Sequence, residues 1–201
     1  MRVMVIGATG TIGRAVVEKL LARHEVVTVG YKNGEHRVDI SSVHSITKLY
    51  ETVGFVDAVV SAAGVAKFAP LDQLTDEDLL LSLNNKLMGQ VNLVRLGCRY
   101  VRDNGSFTLT SGVLGREPMQ GSAAISLVNA GLDGFVRAAA LELPRGLRVN
   151  AVSPVWVKET LVTLGMNLTG GMPADQVALA YLESVEGKRN GDVIDTRSFA
   201  K

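Results

Sequence analysis

The sequence predicts one three-layer α/β domain over residues 1–201, a doubly wound parallel sheet with helices on both faces. Apolar runs of strand length alternate with helix-period stretches from one end to the other. Those runs are nearly continuous in Val, Ile and Ala, as in strands buried on both faces. The 201-residue length fits a single domain of about 100 to 200 residues. A 47% hydrophobic and 20% charged composition with net charge +1 is that of a soluble globule. It lacks the basic excess that would draw a nucleic-acid backbone or an anionic membrane surface, so neither is an expected partner.

The strands are expected at Val3–Ile6, Val26–Val29, His36–Val38, Val56–Val60, Phe107–Thr110, Leu147–Val152 and Val193–Ile194. A helix from Thr11 places Ile12, Ala15, Val16 and Leu20 on one face, and a second turns Val43, Ile46, Leu49, Tyr50 and Val53 inward. Between the second and third strands stand only Gly30 to Glu35. A parallel crossover normally needs roughly a dozen residues, so this one is expected as an extended loop without a helix. A long helix is expected over Asp76–Arg102 and another over Ser122–Leu143. The latter has little polar circumference, so it is expected to bury one face on the sheet and another on a second subunit. A homodimer or homotetramer through these two helices follows as an expectation.

Cys98 is the single cysteine. It has no disulfide partner and no zinc ligand set beside it, so it reads as a small buried residue of a reducing, cytoplasmic protein without a metal. The apolar run Val3–Ile6 is too short for a signal sequence, and no segment is expected to approach the roughly 20 apolar residues of a membrane span.

Directly after the first strand comes Gly7-Ala8-Thr9-Gly10-Thr11-Ile12-Gly13, and then the first helix. This is the context of a Rossmann-type dinucleotide turn. Gly7 permits the sharp turn, Gly10 lets backbone approach a pyrophosphate, Gly13 allows close helix packing, and the helix start offers free N–H groups. After the second strand, an acidic residue would bind the ribose 2′-hydroxyl of NAD, and a cation would accept the NADP phosphate. Here the chain reads Gly30-Tyr31-Lys32, with no carboxylate before Glu35. Lys32 as a phosphate contact and Tyr31 beside adenine favour NADP(H) over NAD(H).

From Gly7 to Thr160 the order of motifs resembles the short-chain dehydrogenase/reductase family. Val38-Asp39-Ile40 is similar to the segment whose aspartate reads the adenine amino group, and Ser61-Ala62-Ala63-Gly64 resembles the family's Asn-Asn-Ala-Gly turn. Leu109-Thr110-Ser111-Gly112 looks like the strand end with the catalytic serine. Arg148-Val149-Asn150-Ala151-Val152-Ser153-Pro154 looks like the segment that approaches nicotinamide, followed by Val155, Trp156, Val157 and Thr160. The resemblance thereby implies cofactor contacts at Thr9, Thr11, Ile12, Ala62, Ala63, Gly64, Pro154, Val157 and Thr160.

One departure is larger than the rest. Where the family pattern has Tyr-x-x-x-Lys, the chain reads Ile125-Ser126-Leu127-Val128-Asn129, and the family's asparagine in the preceding helix falls at Lys86. The candidate catalytic set is therefore Ser111, Lys86 and Asn129, with Lys86 and Asn129 read as an exchange of the family's asparagine and lysine. Arg116, Glu117, Ser122 and Tyr181 are further polar groups in reach of such a pocket, and none of His24, His36 and His44 is expected to be catalytic. Two readings follow. One is an oxidoreductase acting on a small carbonyl or alcohol with a non-standard site; the other is an inactive nucleotide-binding, redox-sensing protein.

Overall fold

The computed structural model describes residues 1–200. Seven strands form one all-parallel sheet: β1 (Arg2–Ile6), β2 (Glu25–Gly30), β3 (His36–Arg37), β4 (Val56–Ser61), β5 (Val101–Thr110), β6 (Arg148–Ser153) and β7 (Val193–Asp195), in the order β3-β2-β1-β4-β5-β6-β7. Met4 pairs with Val27 on one side and Val59 on the other. The central strands are buried on both faces, which is why their sequences run apolar without alternation.

The helices divide between the two faces. On one side α2 (Val43–Val53), α4 (Met88–Gly97) and α5 (Ala123–Glu142) pack Ile46, Leu49, Tyr50, Leu93, Leu132 and Val136 onto the sheet. On the other, α1 (Thr11–Leu21) and α7 (Ala174–Glu186) contribute Val16, Leu20, Val177, Ala178, Tyr181 and Val185. Short helices α3 (Asp76–Ser82) and α6 (Lys158–Thr163) complete the set. The crossover from β2 to β3 has no helix, as its length requires.

Four expectations need correction. The helix expected over 76–102 is two helices, α3 and α4, joined by a π-helical turn at Leu83–Leu87, and it ends at Gly97. The segment after it is already strand: β5 begins at Val101, not Phe107, and its polar first half, Arg102-Asp103-Asn104, is exposed. Arg145 holds that half in place by pairing with Asp103 at 2.6 Å and reaching the Val101 carbonyl, so a strand forms without an apolar pattern. Cys98 is only half-buried, its thiol directed to the Val94 carbonyl. Finally, α5 does have the length and hydropathy of a membrane span, 20 residues at mean hydropathy 1.3. Its inner face, with Ala124, Val128, Leu132 and Val136, packs on the domain core, and the same helix carries Asp133, Arg137 and Glu142.

Candidate functional site

The site lies over the carboxyl ends of β1 and β4, where the strand order reverses and successive helices leave on opposite faces, opening a crevice. Gly7 turns the chain at φ 83°, and a Cβ there would stand 2.6 Å from the Ala62 carbonyl oxygen. Gly13 is tighter still, since its Cβ would lie 1.9 Å from the Gly7 carbonyl oxygen. Gly10 caps α1 without a side chain. The amides of Thr11, Ile12 and Gly13 therefore have no intrahelical acceptor and are available to an anion.

A cavity of about 500 Å³ opens beside this turn, lined by Gly7, Thr9, Gly10, Tyr31, Asp39 and Ile40 among others. A Cβ on Gly30 would meet the Asn33 carbonyl oxygen at 2.0 Å. The tip of β2 thus admits no side chain, and so no carboxylate. Glu35, the next acid, lies 3.8 Å from His36. Tyr31 stands at the rim, 68% exposed. Asp39 is fixed by two bonds from Ser41 to one carboxylate oxygen, at 2.9 and 2.6 Å.

Ala62, Ala63 and Gly64 line both this cavity and a second one of about 280 Å³, so the two adjoin. The second is walled mostly by apolar groups, including Ile12, Leu114, Ile125, Val155, Trp156 and Val157, with Pro154 and Thr160 at its edge. Phe68 meets Trp156 edge-on at 6.4 Å between ring centroids.

Among these walls stand Lys86, Ser111 and Asn129, which the fold brings together from three elements. Lys86 lies in the π-helical turn, which packs on α5. The extra residue of that turn leaves the Lys86 carbonyl to the Gln90 side-chain amide, at 3.2 Å. Its ammonium donates to the Ser111 carbonyl at 3.1 Å, and its Cγ packs where a Cβ on Gly64 would come within 2.8 Å. Burial lowers the Lys86 pKa to about 8, partly opposed by the charge of Asp133.

Asn129 faces Gly112, where a Cβ would approach its amide nitrogen to 2.8 Å, and its Oδ1 is buried without a hydrogen-bond partner. Ser111 is buried at the end of β5, its hydroxyl 3.4 Å from the Val152 carbonyl. It is therefore the Ser111 carbonyl, rather than the hydroxyl, that engages Lys86.

Thr11, Gly13 and Lys32 line neither cavity. The other polar candidates are occupied elsewhere. Arg116 pairs with Asp195 and Glu117 with Arg197, Ser122 bonds to Met119 and Ser126, and Tyr181 is buried against Thr110 at 2.6 Å. His24 pairs with Glu186. Sequence reasoning missed Asn85, Ser41, Leu114 and Asp133. The signal for Asp133 was its spacing, one helical turn beyond Asn129 and on the same face.

Sheet order, glycine turn and crevice define a doubly wound domain of the Rossmann type. Comparison with known proteins narrows this. A family model described as enoyl-(acyl carrier protein) reductase matches residues 6–187. The carbonyl reductase family member 4 of Danio rerio is 31% identical over 174 residues, covering 75% of this chain and 73% of that protein. The chain belongs to the short-chain dehydrogenase/reductase family. Among solved structures, the protein lin1944 from Listeria innocua is 43% identical with a TM-score of 0.94, covering 97% of this chain and 98% of that one. A small-chain dehydrogenase in complex with NADPH is 27% identical with a TM-score of 0.86, covering 97% and 95% respectively.

Proposed function

We propose that this chain is an NADP(H)-dependent oxidoreductase acting on a small carbonyl or alcohol, with Lys86 and Asn129 in place of the family's usual pair. The observation that carries this reading is the buried, unpartnered Oδ1 of Asn129 sharing one cavity with an ammonium that uses a single proton on the Ser111 carbonyl. A buried acceptor without a partner costs about 1–3 kcal/mol. Beside a donor with protons to spare, it fits a ligand that both donates and accepts, as a ribose diol does.

The glycine turn, the free amides of α1 and Asp39 fit the remaining parts of a dinucleotide. The closed tip of β2 disfavours NAD, and Lys32 beside it supports a 2′-phosphate contact. The NADPH complex of a structural relative supports the same choice. The bound dinucleotide supplies the hydride, or accepts it in the reverse direction.

What the chain's own residues supply is charge and a proton. Negative charge builds on a carbonyl oxygen as it is reduced, and Ile125 cannot donate to it. Lys86 can. A lysine with a pKa about 8 is charged at neutral pH yet close enough to neutrality to release its proton. Ser111 fixes that lysine through its carbonyl, and Asn129 orients the ligand. The apolar walls, with Trp156 and Ile125, exclude water and suit an apolar carbonyl compound. The exposed Leu80, Leu81, Met88 and Leu127 support a second copy of the chain against α3, α4 and α5, to be checked by light-scattering mass.

Calorimetry with NADPH and NADH, followed by a panel of aliphatic and aromatic carbonyls monitored at the NADPH absorbance, tests this function. The expected result is tighter binding of NADPH with measurable turnover. Absence of binding overturns the reading, and tight binding without turnover replaces it with that of a nucleotide sensor.

A further inference from the structure

Gln90, Leu93, Val94 and Gly97 recur at helical spacing along α4 and are buried. Gln90 is the one polar side chain of that stripe, and it is 0% exposed. A buried amide is costly unless it is bonded, and this one is bonded throughout. Its Nε2 donates to the Thr110 carbonyl at 2.9 Å and to the Lys86 carbonyl at 3.2 Å, while its Oε1 accepts from the Thr110 N–H at 2.8 Å. Both amide protons are thereby used. The need for such a group arises from the sheet. The pairing of β5 with β4 stops at Val60 and Thr108, whereas its pairing with β6 runs on to Thr110 and Val152. Beyond β4 the chain leaves through Ala62 and Ala63 to line the cavities. Gln90 takes the place of the missing strand neighbour and meets both backbone groups of Thr110. Thr110 is pinned from its side chain as well, its hydroxyl lying 2.6 Å from the Ser61 carbonyl and 2.6 Å from the Tyr181 hydroxyl.

We propose that Gln90 is a positioning residue that fastens the π-turn to the end of β5 and so sets the Lys86 ammonium in the cavity. This rests on the role given to Lys86 above. The hydrogen bonds close a ring. The Lys86 carbonyl accepts from Gln90, Gln90 grips Thr110, and the carbonyl of the next residue, Ser111, accepts from the Lys86 ammonium. Lys86 is thus tied to two consecutive residues of one strand end, at its backbone and at its tip. A lysine carries its charge on a flexible four-carbon stem, and a bond at the tip alone would leave that stem free to swing to water. With the backbone tied too, and Cγ packed where a Cβ on Gly64 would come within 2.8 Å, the stem has one course, and two ammonium protons remain for a ligand. Gln90 lines neither cavity, so it reaches the site through Lys86 and Thr110, which both line the second one. An apolar residue at 90 would pack α4 on the sheet equally well, but it would leave Thr110 unpaired and the π-turn untied.

The experiment is lysine ¹³Cε NMR, needing neither substrate nor dinucleotide, with the Lys86 signal assigned by its loss in Lys86→Met. In the parent, Cε relaxation should show Lys86 as the most ordered lysine. A Lys86 as mobile as the exposed Lys32 overturns the proposal, and this measurement needs no variant at 90. Gln90→Met fills a similar volume without the amide, and Gln90→Asn keeps an amide one methylene too short to span Thr110 and Lys86 together. In each variant that folds, the Lys86 titration midpoint, held at about 8 by burial in the parent, is expected to rise by at least about one pH unit, tenfold in proton affinity, as the released ammonium reaches water. An unmoved midpoint overturns the proposal. Lower stability does not by itself move the midpoint of a folded protein, and Gly97→Ala, which strains the same helix against Tyr50, is the matched control. An equal rise in Gly97→Ala overturns the proposal as well, since general loosening would then be the cause. A protein that passes these tests but shows no turnover loses the oxidoreductase reading and keeps this one.

Discussion

An alanine at position 13 would set its methyl carbon 1.9 Å from the Gly7 carbonyl oxygen and 2.7 Å from the carbonyl carbon. The first distance is about 1.5 Å short of van der Waals contact. Both opposing atoms are backbone, so no rotamer change relieves the overlap; α1 must lift away from the end of β1, or the turn must open. Overpacking of this kind costs about 1–3 kcal/mol, and a clash against rigid backbone belongs at the upper end. In a chain of this length each kcal/mol lowers Tm by roughly 2–4 °C, so Gly13→Ala should melt about 4–12 °C below the parent. A shift of α1 by an ångström also misplaces the amides of Thr11 and Ile12. The NADPH dissociation constant should rise at least about tenfold, equivalent to 1.4 kcal/mol. Circular-dichroism melts with and without NADPH, together with calorimetry, measure both effects. Gly134→Ala is the matched control: its Cβ meets nothing within 4 Å in the middle of α5, and it should gain up to about 1 kcal/mol of helix propensity. If Gly13→Ala melted with the parent and bound NADPH within about twofold, the assignment of this turn to a pyrophosphate would fail.

Three other outcomes are expected. Folding lowers the Lys86 pKa to about 8 from an unfolded value near 10.4, so between these pH values the unfolded chain holds more protons and stability rises with pH. The unfavourable burial of the ammonium is fully present below about pH 8. The stability of Lys86→Met relative to the parent should therefore be greatest at pH 7 and decline towards pH 10, while its NADPH affinity and turnover fall; a difference flat with pH in urea titrations would contradict the assignment. Lys32→Met should weaken NADPH binding several-fold and leave NADH unchanged, and an equal effect on both would show that Lys32 does not meet the 2′-phosphate. Gly97→Ala would bring a Cβ within 2.3 Å of the buried Tyr50 hydroxyl, whose bond to the Leu93 carbonyl is 2.7 Å. It should destabilise by about 1–3 kcal/mol without altering dinucleotide affinity.

The layers of the fold were legible because the central strands are buried on both faces and are dominated by apolar residues, as in Val3–Ile6 and Ala58–Val60. The helix-free crossover at Gly30–Glu35 was legible from length alone. The first half of β5 was not. Arg102, Asp103 and Asn104 carry no strand pattern, and Arg145, more than forty residues away in sequence, holds them. The meeting of Lys86 and Asn129 could be read as an exchange between two positions, since both replace residues that share one pocket in the family. Asp133 was harder to read, because an acid between Leu132 and Gly134 resembles solvated surface, and only its spacing from Asn129 signals the burial observed.

That π-turn has a consequence for how the site tolerates change. Geometrically it is an α-helix carrying one surplus residue, which lets the residues on either side of 83–87 keep their own faces while Asn85 and Lys86 reach the two cavities. Loss of a single codon within the turn would restore α-helical register and rotate one flank about 100° against the other. Either the lysine would leave the cavity or Gly89, which packs against Ile40, would leave its groove. Insertions and deletions in this chain should therefore be borne by the exposed segment at 162–170 and refused at 83–87.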